Sequence, residues 1–265
     1  MILSIVNNKG GVGKTTSTVN LAHALALRGK RVLVVDNDPQ SNATSLLMGD
    51  KEPPHTLYDA LIEGVPVVQC IYPTLFGLDI LPNSQATATI ESDLYADTTK
   101  NYFLLKNILR AHATENYDVT LIDCPPSLGL WVIMSMIASD AVIVPVEAGS
   151  RFSLDGLSSV YTAIEQVRAS KVNQSLVFLK ALVNKVDMRT TSSKIVVETM
   201  RTRYPGNLFA TTIPTNDSIK QAEISRTTCL RYDPQSTGSK RYRLLADELL
   251  ELIAESDTQP SLLHG

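Results

Sequence analysis

Continuous apolar runs alternate with amphipathic stretches along almost the whole chain. The runs are ILSIV (2–6), RVLVVD (31–36), LDIL (78–81), VTLID (119–123), AVIVPV (141–146), LVFLKALV (176–183) and LFATTI (208–213). Each lacks the apolar–polar alternation of a half-exposed strand. They therefore predict strands covered on both faces, as in a parallel sheet between helix layers. Between them apolar residues recur at helical spacing over 15–28, 99–113, 128–138, 154–169, 193–204, 217–224 and 241–254. The first of these helices should stop near Gly29, since glycine takes the left-handed turn past a helix end without steric cost. Strands alternating with helices predict the α/β class: a single doubly wound, mostly parallel sheet with helices on both faces. One domain is expected over 1–255, with a frayed tail over 256–265.

Composition narrows this further. With 44% hydrophobic and 19% charged residues among 265, the chain can bury a sizeable core and does not have a disordered composition. Its richest apolar stretch, 133–146, contains Asp140 and is shorter than the roughly 18 residues of a membrane span. The initial apolar run leads straight into Asn7, Asn8 and Lys9, as a first strand does and a signal peptide does not. Cys70, Cys124 and Cys229 show no metal-ligand spacing and suit a reducing cytoplasm. His23, His55, His112 and His264 are scattered.

The chemistry concentrates after the first strand, where residues 9–16 read KGGVGKTT. Glycines let backbone N–H groups converge on phosphate oxygens at the positive end of a helix. Gly10, Gly11, Val12, Gly13, Lys14, Thr15 and Thr16 would form that cradle. Lys14 would reach the β- and γ-phosphates, and the Thr15 hydroxyl would ligate Mg²⁺. Asn8 stands where the usual phosphate loop has its first glycine, and Lys9 adds a second lysine, which makes this the deviant form. Asp36 and Asp38 end the second strand with alternate spacing, so both point toward the phosphates. Asp123 ends VTLID and is placed like a Walker B aspartate, holding Mg²⁺ through water. Asn184-Lys185-Val186-Asp187 imitates the guanine-reading N-K-x-D motif, so residue chemistry alone leaves GTP open beside ATP.

KGGVGKTT, VDNDPQSNAT (35–44), IDCPPSLG (122–129), IVPVEAGSRFSLDGL (143–157) and YDPQSTGSKRYRLLADELL (232–250) together resemble the ParA/Soj-type partition ATPases of the ParA–MinD group. The resemblance spans nearly the whole chain. It implies a deviant P-loop NTPase fold and an ATPase with ATP and Mg²⁺ as cofactors. Lys9 would be the signature lysine that crosses a dimer interface to the partner's phosphates. Asp38 would orient the attacking water, and Asp36 would support Mg²⁺. Asn184 would contact adenine, with the loop of Pro214, Asn216 and Asp217 closing over the ring. Implied partners are a second copy of the chain when ATP is bound, nonspecific DNA, and a ParB-like or other adaptor. The output would be partition of plasmid or chromosomal DNA. The alternatives are positioning of a protein cargo such as a chemoreceptor array or microcompartment, a maturation enzyme such as an amidoligase, and a nucleotide-dependent interaction module.

Charge distribution bears on those partners. Residues 185–243 carry 11 basic and 5 acidic side chains, although the chain as a whole is at −3. Lys185, Arg189, Lys194, Arg201, Arg203, Lys220, Arg226 and Arg231 are the candidate contacts for phosphates of a polyanion, by sequence-tolerant binding. The last 22 residues carry five acidic and no basic groups, so an anionic membrane should repel them and no membrane partner is expected. The expected location is cytoplasmic, nucleoid-associated in the ATP-bound state. No helix-turn-helix segment is expected before Met1, nor operator-specific repression. Thr215 stands where the family commonly has arginine.

Overall fold

The computed structural model describes residues 1–149 and 153–258. Seven strands form one sheet: β1 (Ile2–Ile5), β2 (Val32–Asp36), β3 (Tyr72–Pro73), β4 (Asp79–Leu81), β5 (Val119–Asp123), β6 (Ala141–Glu147) and β7 (Val177–Asn184). Their order is β3-β4-β2-β5-β1-β6-β7. Every pairing is parallel except the short edge pair of β3 and β4. The helices are α1 (Lys14–Ala26), α2 (Asn42–Met48), α3 (Ala86–Thr89), α4 (Glu91–Ala96), α5 (Thr98–Asn101), α6 (Leu104–Asn116), α7 (Leu130–Ala138), α8 (Ser153–Ala169), α9 (Thr191–Arg203), α10 (Asp217–Ile224), α11 (Cys229–Tyr232) and α12 (Thr237–Thr258). Among the described residues, no helix is long and apolar enough to cross a membrane.

The continuous apolar strands are explained by two cores, one on each face of the sheet. Leu33, Val35 and Ile122 pack with Leu105 and Leu109 of α6, Trp131 of α7, Val160 and Ile164 of α8 and Met200 of α9. Val32, Val34 and Leu121 face the other way, onto Leu21 and Leu25 of α1, Ile219 of α10 and Leu245 and Leu249 of α12. Neighbouring residues of a strand point to opposite faces, so a strand buried on both needs apolar side chains throughout.

Three predicted elements come out differently. The 208–213 run is not a regular strand. It meets β7 at its two ends, through a bridge of Leu208 with Ala181 and the Ile213 N–H donating to the Val183 carbonyl at 2.9 Å. Between them the Ala210 and Thr211 N–H groups donate to the Glu248 carboxylate of α12 at 2.7 and 2.9 Å, which takes them off the ladder. The predicted 99–113 helix is interrupted between α5 and α6, where the Asn101 side-chain amide donates to the Leu94 carbonyl at 2.8 Å. Such local side-chain bonding competes with helix continuation. The last helix begins before residue 241. Ser236 Oγ accepts from Ser239 N at 3.2 Å, a serine cap at the helix start. It runs on to Thr258, and the rest of the expected tail lies outside the described residues, as do residues 150–152 of the 143–157 segment.

Candidate nucleotide site

The C-terminal ends of β1, β2, β5, β6 and β7 lie on one edge of the sheet, where open α/β folds build their sites. β1 runs into the glycine loop and the loop into α1. Gly13, the residue before α1, has φ +89°, and a Cβ there would lie 2.9 Å from the Asn184 amide nitrogen. Only glycine meets both demands. Asn184 at the end of β7 clamps the loop from behind, donating to the Val12 carbonyl at 2.9 Å and to Ser17 Oγ at 3.0 Å. Its own Oδ1 is buried without a hydrogen-bond partner.

Lys14 is buried, and its amine donates to the Lys9 carbonyl across the loop at 3.0 Å. Burial lowers its pKa, opposed chiefly by the nearby Asp123. Asp36 and Asp123 are register partners on β2 and β5, and both are fully buried. Asp123 accepts from Thr15 Oγ1 at 2.7 Å and from Thr18 Oγ1 at 3.1 Å. Burial pushes the pKa of both carboxyls up, and in Asp123 the neighbouring Asp36 adds to the effect. Asp36 uses its oxygens on the following loop. Its Oδ2 accepts from the Thr44 N–H and hydroxyl at 2.8 and 2.7 Å, and its Oδ1 from Asp38 N at 3.2 Å. Asp38 thereby lines the phosphate cleft, held further by Gln40 N on its Oδ1 at 2.9 Å and Asn83 on its carbonyl at 3.2 Å.

Two adjoining clefts share this edge. The first, about 350 Å³, is bounded by Gly10, Gly11, Gly13, Lys14, Thr15, Thr16, Asp38 and Asn42. The second, about 250 Å³, has Asn184, Ile213, Pro214, Thr215, Asn216 and Tyr242 in its wall. It offers an apolar slot with few polar groups, which suits a purine ring. Asn216 lines this slot while accepting from Ile219 N at 3.3 Å as the cap of α10. Asp217 is exposed as the first residue of α10 and does not line the slot.

The oxygen donors fit Mg²⁺. The cation takes one or two carboxylates and completes its shell with water and phosphate oxygens. The Thr15 hydroxyl and the Asp123 carboxylate are the groups that would hold it. Among the described residues no group of three or more His, Cys, Asp or Glu is placed to hold a metal ion. When bound, Mg²⁺ supplies positive charge to the β- and γ-phosphates. Cys124, beside Asp123, is fully buried, and burial pushes its thiol up to about 12, so it packs as a small neutral side chain.

The candidate DNA contacts separate into groups. Lys185 belongs to the nucleotide site. Its amine donates to the Gly11 carbonyl at 2.6 Å and lies 3.9 Å from Glu147, which also pairs with Lys9 at 3.8 Å. Lys220 lines the purine slot. Arg226 pairs with Asp50, and the Arg231 guanidinium stacks 5.8 Å from the Phe76 ring. Arg189 forms a two-pronged pair with Asp187 at 2.9 and 2.8 Å. Lys194, Arg201 and Arg203 remain as an exposed set on α9. Glu223 had no signal in the sequence, because the fold brings it to both clefts from an otherwise ordinary segment, whereas Asn42 of the phosphate cleft belongs to the VDNDPQSNAT segment.

A family model described as an AAA domain matches residues 1–178. The sporulation initiation inhibitor protein Soj of Bacillus subtilis (strain 168) is 38% identical over 250 residues, covering 94% of this chain and 97% of Soj. The chromosome partitioning protein ParA of Caulobacter vibrioides (strain NA1000 / CB15N) is 37% identical over 251 residues, covering 94% of this chain and 93% of that protein. The cobyrinic acid a,c-diamide synthase of Mycobacterium smegmatis, solved with ADP and magnesium, superposes with a TM-score of 0.79 at 31% identity, over 94% of this chain and 93% of that one.

Proposed function

The chain belongs to the ParA/Soj family of partition ATPases, and from that premise we propose how it uses ATP. Two copies close on two ATP molecules, the dimer binds DNA without reading its sequence, and hydrolysis stimulated by a ParB-like adaptor releases it. The cargo is plasmid or chromosomal DNA.

One observation supports the dimer above the rest. Lys14 fills the inside of the loop with its amine on the Lys9 carbonyl, whereas Lys9 lies outside its own phosphate cleft, beside Glu147. A lysine held there serves a partner's phosphates better than its own. Phosphoryl transfer needs positioning and charge neutralisation more than covalent chemistry. Lys14 neutralises the β- and γ-phosphates, Asp38 orients the attacking water, and Lys9 from the other copy adds charge on the γ side. ATP thus favours the paired state, and loss of the γ-phosphate removes the preference.

The test is a sizing experiment with Mg²⁺–ATP on Lys9→Ala protein. It should bind ATP, remain monomeric and hydrolyse slowly. Mixed with a Lys14→Ala variant, it should recover some turnover through the one composite site that keeps both lysines. A Lys9→Ala protein that dimerises and hydrolyses normally would remove the role in trans. For DNA, the surface assigned is α9, with Lys194, Arg201 and Arg203.

A further inference from the structure

Glu223 stands where the two clefts meet. Four residues line both: Gly13, Thr16, Lys185 and Glu223. A nucleotide with its phosphates in one cleft and its base in the other must set its sugar against these four. Gly13 offers no side chain there. The Lys185 amine is only a donor and already bonds the Gly11 carbonyl. Thr16 turns its hydroxyl to a Glu223 carboxylate oxygen, which fixes that carboxylate over the start of α1.

The 2′- and 3′-hydroxyls of a ribose are two adjacent donors, and an ionised carboxylate is an acceptor with two oxygens. We propose that Glu223 is the ribose-reading residue of this site, its carboxylate accepting hydrogen bonds from the sugar hydroxyls. The same pairing of an acidic side chain with ribose hydroxyls is used in dinucleotide-binding folds. Lys185 and Lys220, which line the purine cleft with it, offset its charge beside the phosphates. Glu223 is also the residue before Ile224, the last of α10, where the helix dipole disfavours a negative side chain. Its position therefore works against helix stability and toward the ligand.

The inference rests on the nucleotide reading of the cleft, and the test separates the two. ATP and 2′,3′-dideoxy-ATP carry the same base and phosphates and differ in the hydroxyls. Equilibrium titration with Mg²⁺ should show the unaltered protein preferring ATP by roughly tenfold or more, the usual effect of losing a hydrogen bond to a charged group. Glu223→Ala should bring ATP affinity down to that of the dideoxy analogue, a ratio near one. Glu223→Gln, which keeps one acceptor oxygen, should retain part of the preference. Melting curves without nucleotide should show all three proteins folded. A ratio unchanged in Glu223→Ala, or ATP bound more tightly by that variant, would overturn the ribose role and leave the site intact. Failure of the unaltered protein to bind ATP at all would strike the nucleotide reading, and this inference with it.

Discussion

At the scale of single residues, the site works by giving each charge one task. Lys14 is the buried cation of the loop, while Lys185, which also lines the phosphate cleft, has its amine on the Gly11 carbonyl. Lys14→Ala should lower ATP affinity roughly hundredfold or more, because it removes two or more charge-assisted hydrogen bonds to phosphate. Wild-type affinity in an equilibrium titration would refute the assignment. Asp38→Ala should bind ATP and accumulate as a dimer while its turnover falls, on the order of 10²- to 10⁴-fold, the usual range for a group that handles the attacking water. Phosphate release at an unchanged rate would place that task elsewhere. Lys14 was legible because its chemistry is local: a strand, a tight glycine turn and a helix start lie within about a dozen consecutive positions. Asp38 was legible because it lies just past the end of a buried strand. Glu223 was not legible, since it meets Thr16 across a separation of 207 positions in the chain.

At the scale of elements, the sheet strands followed from apolar runs because burial on both faces leaves no other composition. The misread 208–213 run shows where that rule stops. Its apolar side chains are buried as expected, Phe209 and Ile213 among them. Its backbone, however, answers to Glu248, thirty-eight positions after Ala210. No periodicity in 208–213 can announce a carboxylate from another helix. α9 is the element that carries the DNA prediction. Thr190 caps it, accepting from Ser193 N at 3.3 Å, and Lys194 and Arg201 stand seven positions apart on its exposed side. Arg189 is tied to Asp187 and Arg226 to Asp50 among the described ion pairs, while Lys194 and Arg201 are not. Replacing Lys194 and Arg201 together by Ala should weaken binding to unrelated DNA sequences alike. The salt slope should become shallower by about 0.9 per phosphate contact removed. ATP-dependent dimerisation should persist. An unchanged salt slope would move the DNA surface off α9.

At the scale of the whole molecule, the nucleotide joins parts that are far apart in sequence. Lys14, Asp38, Pro126 and Asn184 come from four strand ends, and Ile213 to Tyr242 closes the slot. Ligand that binds only the folded chain stabilises it by mass action, about 2.7 kcal/mol at a hundred times its dissociation constant. For a chain of this size that corresponds to a rise of roughly 5–10 °C in melting temperature. Mg²⁺–ATP should produce that shift, and chelating the cation with EDTA should remove most of it, because Thr15 and Asp123 then face the phosphates without their shared charge. A shift that survives chelation intact would show that the cation is dispensable for binding.

The position of β1 has a consequence for how the molecule is made. Of the seven strands this one comes first along the sequence, yet it lies inside the sheet, between β5 and β6, paired through Leu3 with Leu121 and Ala141. Asn184, which clamps the glycine loop, follows later still. At about 5–20 residues per second, the ribosome needs roughly ten to thirty seconds between Lys14 and Asn184. β1 waits with both edges open until β5 and β6 have followed, and its phosphate loop stays unclamped until Asn184 arrives. The nascent chain must therefore shield an apolar segment until its partner strands emerge, and the nucleotide site is complete only once Tyr242, in the wall of the second cleft, has been made.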